Sequence, residues 1–333
     1  MLEVIVSTAI ISILVVLLLG LVSQTQKTWT YANGRIEQFR SARDAFDAIT
    51  RRLETATLNT YLDYDNPTNP SSVMRCSNLR YLSGPTASIL GATTVATNLP
   101  WMSVFFQTPG GFATNATNAP LRDALNTWGY YLEYAPDTVG LPSFLGAGQA
   151  APRWRYRLME MMQPTESLSV YSRAAGNPGY TNVDWVTDAL ALPSASRPCH
   201  VLAENVVALI LLPKLPPSSL LPPYTTASLA PAYTYDSSRT DAQSSDPNLN
   251  PHHQLPPVVQ VTLVAVDEES ALRKGPVLGG ITNAVAGLFQ NAANYTNDLA
   301  VLESYLLTNA VSYRIFTTDV MIRGAKWSMT QTN

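Results

Sequence analysis

Between Val4 and Val22 the chain reads VIVSTAIISILVVLLLGLV, without a charge, and no charge follows until Lys27. At a rise of ~1.5 Å per residue, a helix of this stretch approaches the ~30 Å of a bilayer's hydrocarbon core, so the sequence predicts a membrane-spanning helix. Ser7, Thr8 and Ser12 interrupt the run. Hydroxyls in a helix return their hydrogen bonds to preceding carbonyls and stay compatible with lipid. A cleaved secretory signal needs a basic start and a small-x-small site. Nothing basic precedes the run, and Ser23-Gln24-Thr25-Gln26-Lys27 offers no such site, so the segment is expected to stay in the working protein. No second uncharged run of this length occurs, and one span is expected.

Helical patterning continues past the span. Ile36, Phe39, Phe46, Ile49, Leu53 and Ala56 fall on one apolar stripe, with Arg35, Glu37, Arg40, Arg43, Asp44, Arg51, Arg52 and Glu54 expected on a wet face. Gly34 weakens the middle, but the first proline is Pro67. The expectation is one helix from about residue 2 to 59, roughly 85 Å long. Its membrane half is 1–22 and its amphipathic half 23–60. Such a helix, without a linker, fixes the body rigidly to its anchor, which suits a subunit that stacks on its neighbours. Glu3 leads the span, where helix amides favour a carboxylate by about 0.3–1 kcal/mol. Drawn into an apolar assembly, it would instead need a positive partner, because an unpaired buried charge costs several kcal/mol.

Beyond Asn66 the composition changes to Pro, Gly, Asn, Thr and Ser punctuating short apolar runs, the pattern of an antiparallel β-rich domain, taken as 61–330. Candidate strands are Met102–Gln107, Trp128–Tyr134, Trp154–Met161, Val201–Leu212, Val258–Val266 and Ser312–Phe316. Trp154, Tyr156 and Leu158 alternate with Arg155, Arg157 and Met159, which predicts one half-buried sheet face. Val206–Leu212 is apolar throughout and reads as covered on both sides. Residues 213–257 contain ten prolines and few apolar anchors, which predicts a long exposed insertion rather than sheet. A helix is expected over about 294–309, where Leu299, Leu302, Leu306 and Leu307 share a face. The fold class is therefore α+β. Strand-helix repeats and Gly-rich phosphate loops are missing, which argues against a nucleotide-binding doubly wound sheet. With 21 basic against 24 acidic residues and a net charge of -3, there is no electrostatic footprint for nucleic acid.

The opening LEVIVSTAIISILVVLLLGLVSQTQ resembles the mature N-terminus of type IV pilin-like proteins, whose usual form is a short basic leader ending in Gly, then Phe-Thr-Leu-Leu-Glu and an apolar helix. Leu2-Glu3 and the helix match that pattern. YANGRIEQFRSARDAFDAITRRLETATLNTYLDYDN looks like the J-type minor pseudopilins of type II secretion systems. RWRYRLMEMMQPTESLSVY, HVLAENVVALILLP and YRIFTTDVMIRGAKW look more narrowly like the Verrucomicrobia prepilin-type cassette protein C. The resemblance implies a pilin-like fold, with a long N-terminal helix packed on a β-rich globular domain. It also implies a non-enzymatic structural minor subunit of a pilus-like or pseudopilus assembly. Glu3 would be the assembly residue, pairing with the N-terminal amine of a neighbour. The implied partners are other pilin-like subunits, an inner-membrane assembly platform, the lipid bilayer before assembly, and prepilin peptidase if a leader is missing from this chain. Lys27, Arg35, Arg40 and Arg43 follow the span, and their charge read alone would hold the body in the cytoplasm. The resemblance implies an extracytoplasmic body on a single-pass inner-membrane anchor, and that is the expectation. The alternative is a membrane-anchored extracytoplasmic enzyme or ligand-binding protein using the helix only for retention.

Other residues carry candidate chemistry. Cys76 and Cys199 are the only cysteines; an oxidising compartment permits a disulfide between them, and isolated structural thiols are the alternative. Cys199 and His200 are adjacent, so on a strand they point to opposite faces, which weakens any dyad. His252-His253, with Asp246 nearby, lacks the spacing of a metal site and reads as incidental exposed histidines. Asp267-Glu268-Glu269 reads as a strand-end turn rather than a cation loop. Glu160 and Glu166 form no recognisable glycosidase pair. Trp128, Tyr130, Tyr131 and Tyr134 suggest core packing or, if exposed together, an aromatic binding patch. No catalytic residue, cofactor or metal is assigned.

Overall fold

The computed structural model describes residues 2–66, 68–90, 101–118, 120–121, 123–136, 153–174, 183–193, 196–217, 225, 227, 229–239, 249–285 and 287–328, with backbone alone for 2–6, 9, 30–38 and 172–174. The first helix, α1, runs unbroken over Leu2–Glu54, 53 residues or roughly 80 Å. It stops at Glu54 rather than near residue 59. The chain beyond it joins a sheet: the Thr57 amide donates to the Gln107 carbonyl at 2.9 Å, and Asn59 turns with φ 48°. The Arg323 amide in turn caps the Glu54 carbonyl at 3.0 Å.

Beyond α1 the described residues form the helices α2 (Thr86–Leu90), α3 (Ser169–Ala174), α4 (Asp184–Ala191), α5 (Glu268–Arg273), α6 (Gly275–Gly279), α7 (Ile281–Ala284) and α8 (Tyr295–Thr308) and eleven strands: β1 (Tyr61–Tyr64), β2 (Val73–Cys76), β3 (Leu82–Pro85), β4 (Met102–Pro109), β5 (Leu125–Pro136), β6 (Trp154–Gln163), β7 (Cys199–Glu204), β8 (Val206–Lys214), β9 (Tyr235–Asp236), β10 (Val258–Val266) and β11 (Tyr313–Met321). They build a two-stranded hairpin β1-β2, a six-stranded sheet ordered β7-β6-β5-β4-β3-β9, and a three-stranded sheet ordered β11-β10-β8. Every pairing described is antiparallel. The α+β class read from the sequence is therefore present, as a long N-terminal helix followed by an antiparallel β-rich body.

Register sorts the side chains of the six-stranded sheet into two faces. Phe105, Gly129 and Met161 share one face and Phe106, Trp128 and Met162 the other. The first face is covered by α4 (Asp184–Ala191), whose Trp185 meets the Phe105 ring edge-on at 6.3 Å. A Cβ at Gly129 would run into that same Phe105 ring, so the position needs glycine. The second face meets β8, where the Leu211 amide donates to Met102 Sδ at 3.2 Å. The last turns of α1 touch β10 and β11 of one sheet and β4 and β7 of the other, so they lie between the sheets. Phe46 there packs on Phe316 at 5.9 Å. On the far side of the three-stranded sheet, Thr262 hydrogen-bonds Tyr295, which opens α8 (Tyr295–Thr308), at 2.7 Å.

Three expectations are corrected. Val201–Leu212 is two strands, not one, parted at Asn205, whose φ of 56° turns the chain from the six-stranded sheet into the other. The Asn205 amide donates to Tyr156 on one sheet (2.8 Å), and its carbonyl accepts from Val266 on the other (2.9 Å). The strand at Trp154–Met161 is buried on both faces from Tyr156 onward, Arg157 included, because helices cover the side expected to be wet. Residues 213–257, expected as an exposed insertion, bury Leu215, Leu229, Tyr233, Tyr235, Leu249 and Leu255 among their described positions. Tyr235–Asp236 adds the edge strand β9, and Arg80 grips Asp236 through Nε at 2.9 Å and Nη2 at 2.6 Å. Proline bars a long ladder, but a two-residue edge strand anchored by tyrosines and a buried ion pair needs few donors.

Candidate functional site

The sequence directs attention to the first helix, and its two halves have opposite surroundings. Ile10, Ile13, Val16, Leu17, Leu19 and Leu21 are each more than half exposed. Ile10–Trp29 is the one stretch among the described residues that is long and apolar enough to cross a membrane. Its hydroxyls are satisfied internally: Ser12 donates to the Thr8 carbonyl at 2.8 Å, and Thr25 to the Leu21 carbonyl at 2.8 Å. Trp29 closes the run at 69% exposure, beside exposed Lys27. The Glu3 side chain lies outside the described residues.

In the second half Ala42, Ala45, Phe46, Ile49 and Leu53 are buried, and Arg40, Arg43, Asp44 and Arg51 keep the opposite face in water. Ile36, Arg35 and Glu37 are not among the described side chains. Arg52, expected on the wet face, reaches into the body instead. Its guanidinium pairs with Glu160 of β6, donates to the Tyr130 hydroxyl at 2.8 Å, and lies 3.7 Å over the Trp128 ring. The Tyr130 hydroxyl donates to Glu160 Oε2 at 2.9 Å, and His200 Nε2 sits 3.0 Å from Oε1. Glu160 is 2% exposed, so this carboxylate would be very costly alone. Burial, with Arg52 adding to it, holds the His200 imidazole below its ordinary value, although its Nε2 faces the carboxylate. One carboxylate thus gathers a helix, two sheet strands and a third strand's histidine into a single clamp. Arg52's stack on Trp128 adds a cation–π contact.

No family model, no curated protein and no solved structure matches this chain.

The remaining sequence candidates fall into structural roles. Cys76 and Cys199 are free thiols on β2 and β7, strands of separate sheets, so the disulfide allowed by the sequence is not formed. Burial pushes the Cys199 thiol up. Cys199 and His200 do point to opposite faces, the thiol beside Tyr131 and the imidazole onto Glu160. His252 and His253 stack at 3.7 Å and are half-buried rather than exposed; burial and then His252 and Arg75 bring His253 down to about 4. Asp246 lies outside the described residues. Asp267 caps α5 (Glu268–Arg273) by accepting from the Ser270 amide at 3.0 Å, so the acidic triplet starts a helix. Glu166 accepts from the Thr114 and Asn115 amides, both at 3.0 Å, which lowers it to about 2 and occupies it as a loop staple. Trp128, Tyr130 and Tyr131 are core. No group of three or more metal-ligating side chains gathers among the described residues.

Sequence reasoning missed the clamp. The available signal was Glu160 itself, a carboxylate inside the apolar run Leu158-Met159-Glu160-Met161-Met162, where an acid stays only with a partner.

Proposed function

We propose that this protein is a structural, non-enzymatic minor subunit of a type IV pilus-like or type II secretion pseudopilus assembly. It would be held in the inner membrane by α1 with its body outside the cytoplasm, and then taken into a filament with other pilin-like subunits by an inner-membrane assembly platform. The observation that carries the reading is the contrast within one unbroken helix: an apolar half exposed on every side, and a second half wedged and clamped between two sheets. A helix that is apolar all round needs lipid or several other helices about it. Rigid continuity into the body transmits whatever position those helices impose. Glu3 at its head is the residue through which register with a neighbour would be set.

The test is filament entry. Glu3→Gln should leave membrane insertion and the melting of the body unchanged, while the protein's recovery in sheared filaments falls at least tenfold. Unchanged recovery of Glu3→Gln would overturn the role of Glu3. A parent protein that never co-sediments with pilin-like subunits, yet shows turnover as a detached body, would establish the anchored-enzyme alternative.

A further inference from the structure

A cavity of about 430 Å³ opens where the end of β5 and the start of β6 face α5 and α6 (Gly275–Gly279). That is within the ~300–1,000 Å³ usual for a ligand site. One wall is an aromatic stack, with Tyr134 centred 4.5 Å from Tyr156 and 5.3 Å from Trp154. The floor is sealed and apolar: Val207, Val266 and Leu278 are all buried. The rim is not sealed; Trp154 is 47% exposed and Leu272, across the opening, 48%. Two guanidiniums border it. Arg155 is engaged, with Nη2 2.8 Å from Glu268 Oε1 and Nη1 3.3 Å from Glu204, while the Asn205 amide holds Glu268 Oε2 at 2.7 Å. Arg153 is exposed and has no carboxylate partner among the described residues.

We propose that this cavity receives an aromatic or branched apolar side chain from a partner peptide, with an acidic residue beside it paired to Arg153. A sugar fits the aromatic wall but not the floor. Hydroxyls turned toward Val207, Val266 and Leu278 would be buried there without hydrogen-bond partners. An uncharged hydrophobe would leave the cation on the rim unused. Trp154 and Leu272 stand beyond the hollow itself, so the apolar contact continues past one inserted group, as residues flanking an anchor in a peptide require. The site does not depend on the filament reading, since it lies in the body and involves no residue of α1.

The experiment titrates the full chain in lipid nanodiscs with two dye-labelled, capped pentapeptides, Gly-Ser-Phe-Glu-Gly and Gly-Ser-Phe-Gln-Gly, read by fluorescence anisotropy. Saturable binding of both is expected, with the glutamate peptide at least threefold tighter. Trp154→Ala should weaken both at least tenfold, and Arg153→Gln should abolish the preference while retaining the glutamine peptide. Leu272→Ser, at the opposite lip, should weaken both in the same sense and guards against a local fault in Trp154→Ala. Absence of saturable binding, equal affinity of the parent for the two peptides, or binding indifferent to both rim substitutions would overturn the proposal.

Discussion

The two halves of α1 share a backbone and differ in what they ask of their surroundings. In the second half charge occupies one face, so a single stripe from Ala42 to Leu53 needs cover and the two sheets supply it. The first half is apolar around its circumference, and the body of this chain covers none of its described side chains from Ile10 to Val22. Helix formation is common to both; the angular distribution of charge separates them. A helix segment that no face of its own protein can bury must take its solvent from elsewhere.

Truncations on the two sides give the largest expected contrast. Leu53→Ala empties a fully buried site and should cost roughly 3–5 kcal/mol in denaturant unfolding. Leu17→Ala should leave that stability within about 0.5 kcal/mol and weaken bilayer retention instead. Equal effects on unfolding would break the comparison. Next is the clamp. Arg52→Ala strands Glu160 in the body and should cost about 2–4 kcal/mol, below the full penalty of a sealed pair because Arg52 is itself partly exposed. With Arg52 gone the carboxylate keeps the Tyr130 hydroxyl and His200 but loses its cation, so the imidazole should titrate higher than in the parent, visible by NMR.

Acid sharpens the contrast from another side, because no titratable side chain lies between Glu3 and Lys27. His253 is held neutral in the folded body, with its value lowered from 6.5 to about 4. The unfolded chain binds that proton first, so stability should fall as pH drops below 6.5 and level off near 4, by at most about 3 kcal/mol. His253→Gln should flatten that slope in urea titrations at successive pH values. The smallest effect is local. Glu166 is lowered from 4.5 to about 2, so its support is full above 4.5 and lost as pH falls toward 2. Protection of the Thr114 and Asn115 amides, taken relative to the intrinsic exchange rate, should fall in that window, and in Glu166→Gln at neutral pH.

Much of this frame was legible from local pattern. The 3.6-residue stripe marked α1, Val258–Val266 is a strand with the expected bounds, and the helix expected at 294–309 runs Tyr295–Thr308. What was illegible depends on distant residues. Arg52 and Glu160 are 108 positions apart, and nothing near Arg52 in the sequence distinguishes it from Arg51. The apolar run across Val201–Leu212 hides the change of sheet, since residues on both sides of Asn205 satisfy a strand pattern; only the polar Glu204-Asn205 pair marks it. In the proline-rich stretch the prolines spoke against a ladder, while burial was decided by Tyr233 and Tyr235 and by an arginine more than a hundred residues earlier. The cavity wall joins the end of β5 and the start of β6 to helices that follow another sheet, and no contiguous motif records it.

Asn205 carries a mechanical corollary. The handover from β7 to β8 takes one residue, bonded by its amide to one sheet and by its carbonyl to the other, with the root of α1 wedged beside both. A pull along the helix axis is therefore shared between the two ladders from the outset, and the body should yield as one block under tension rather than peel sheet from sheet.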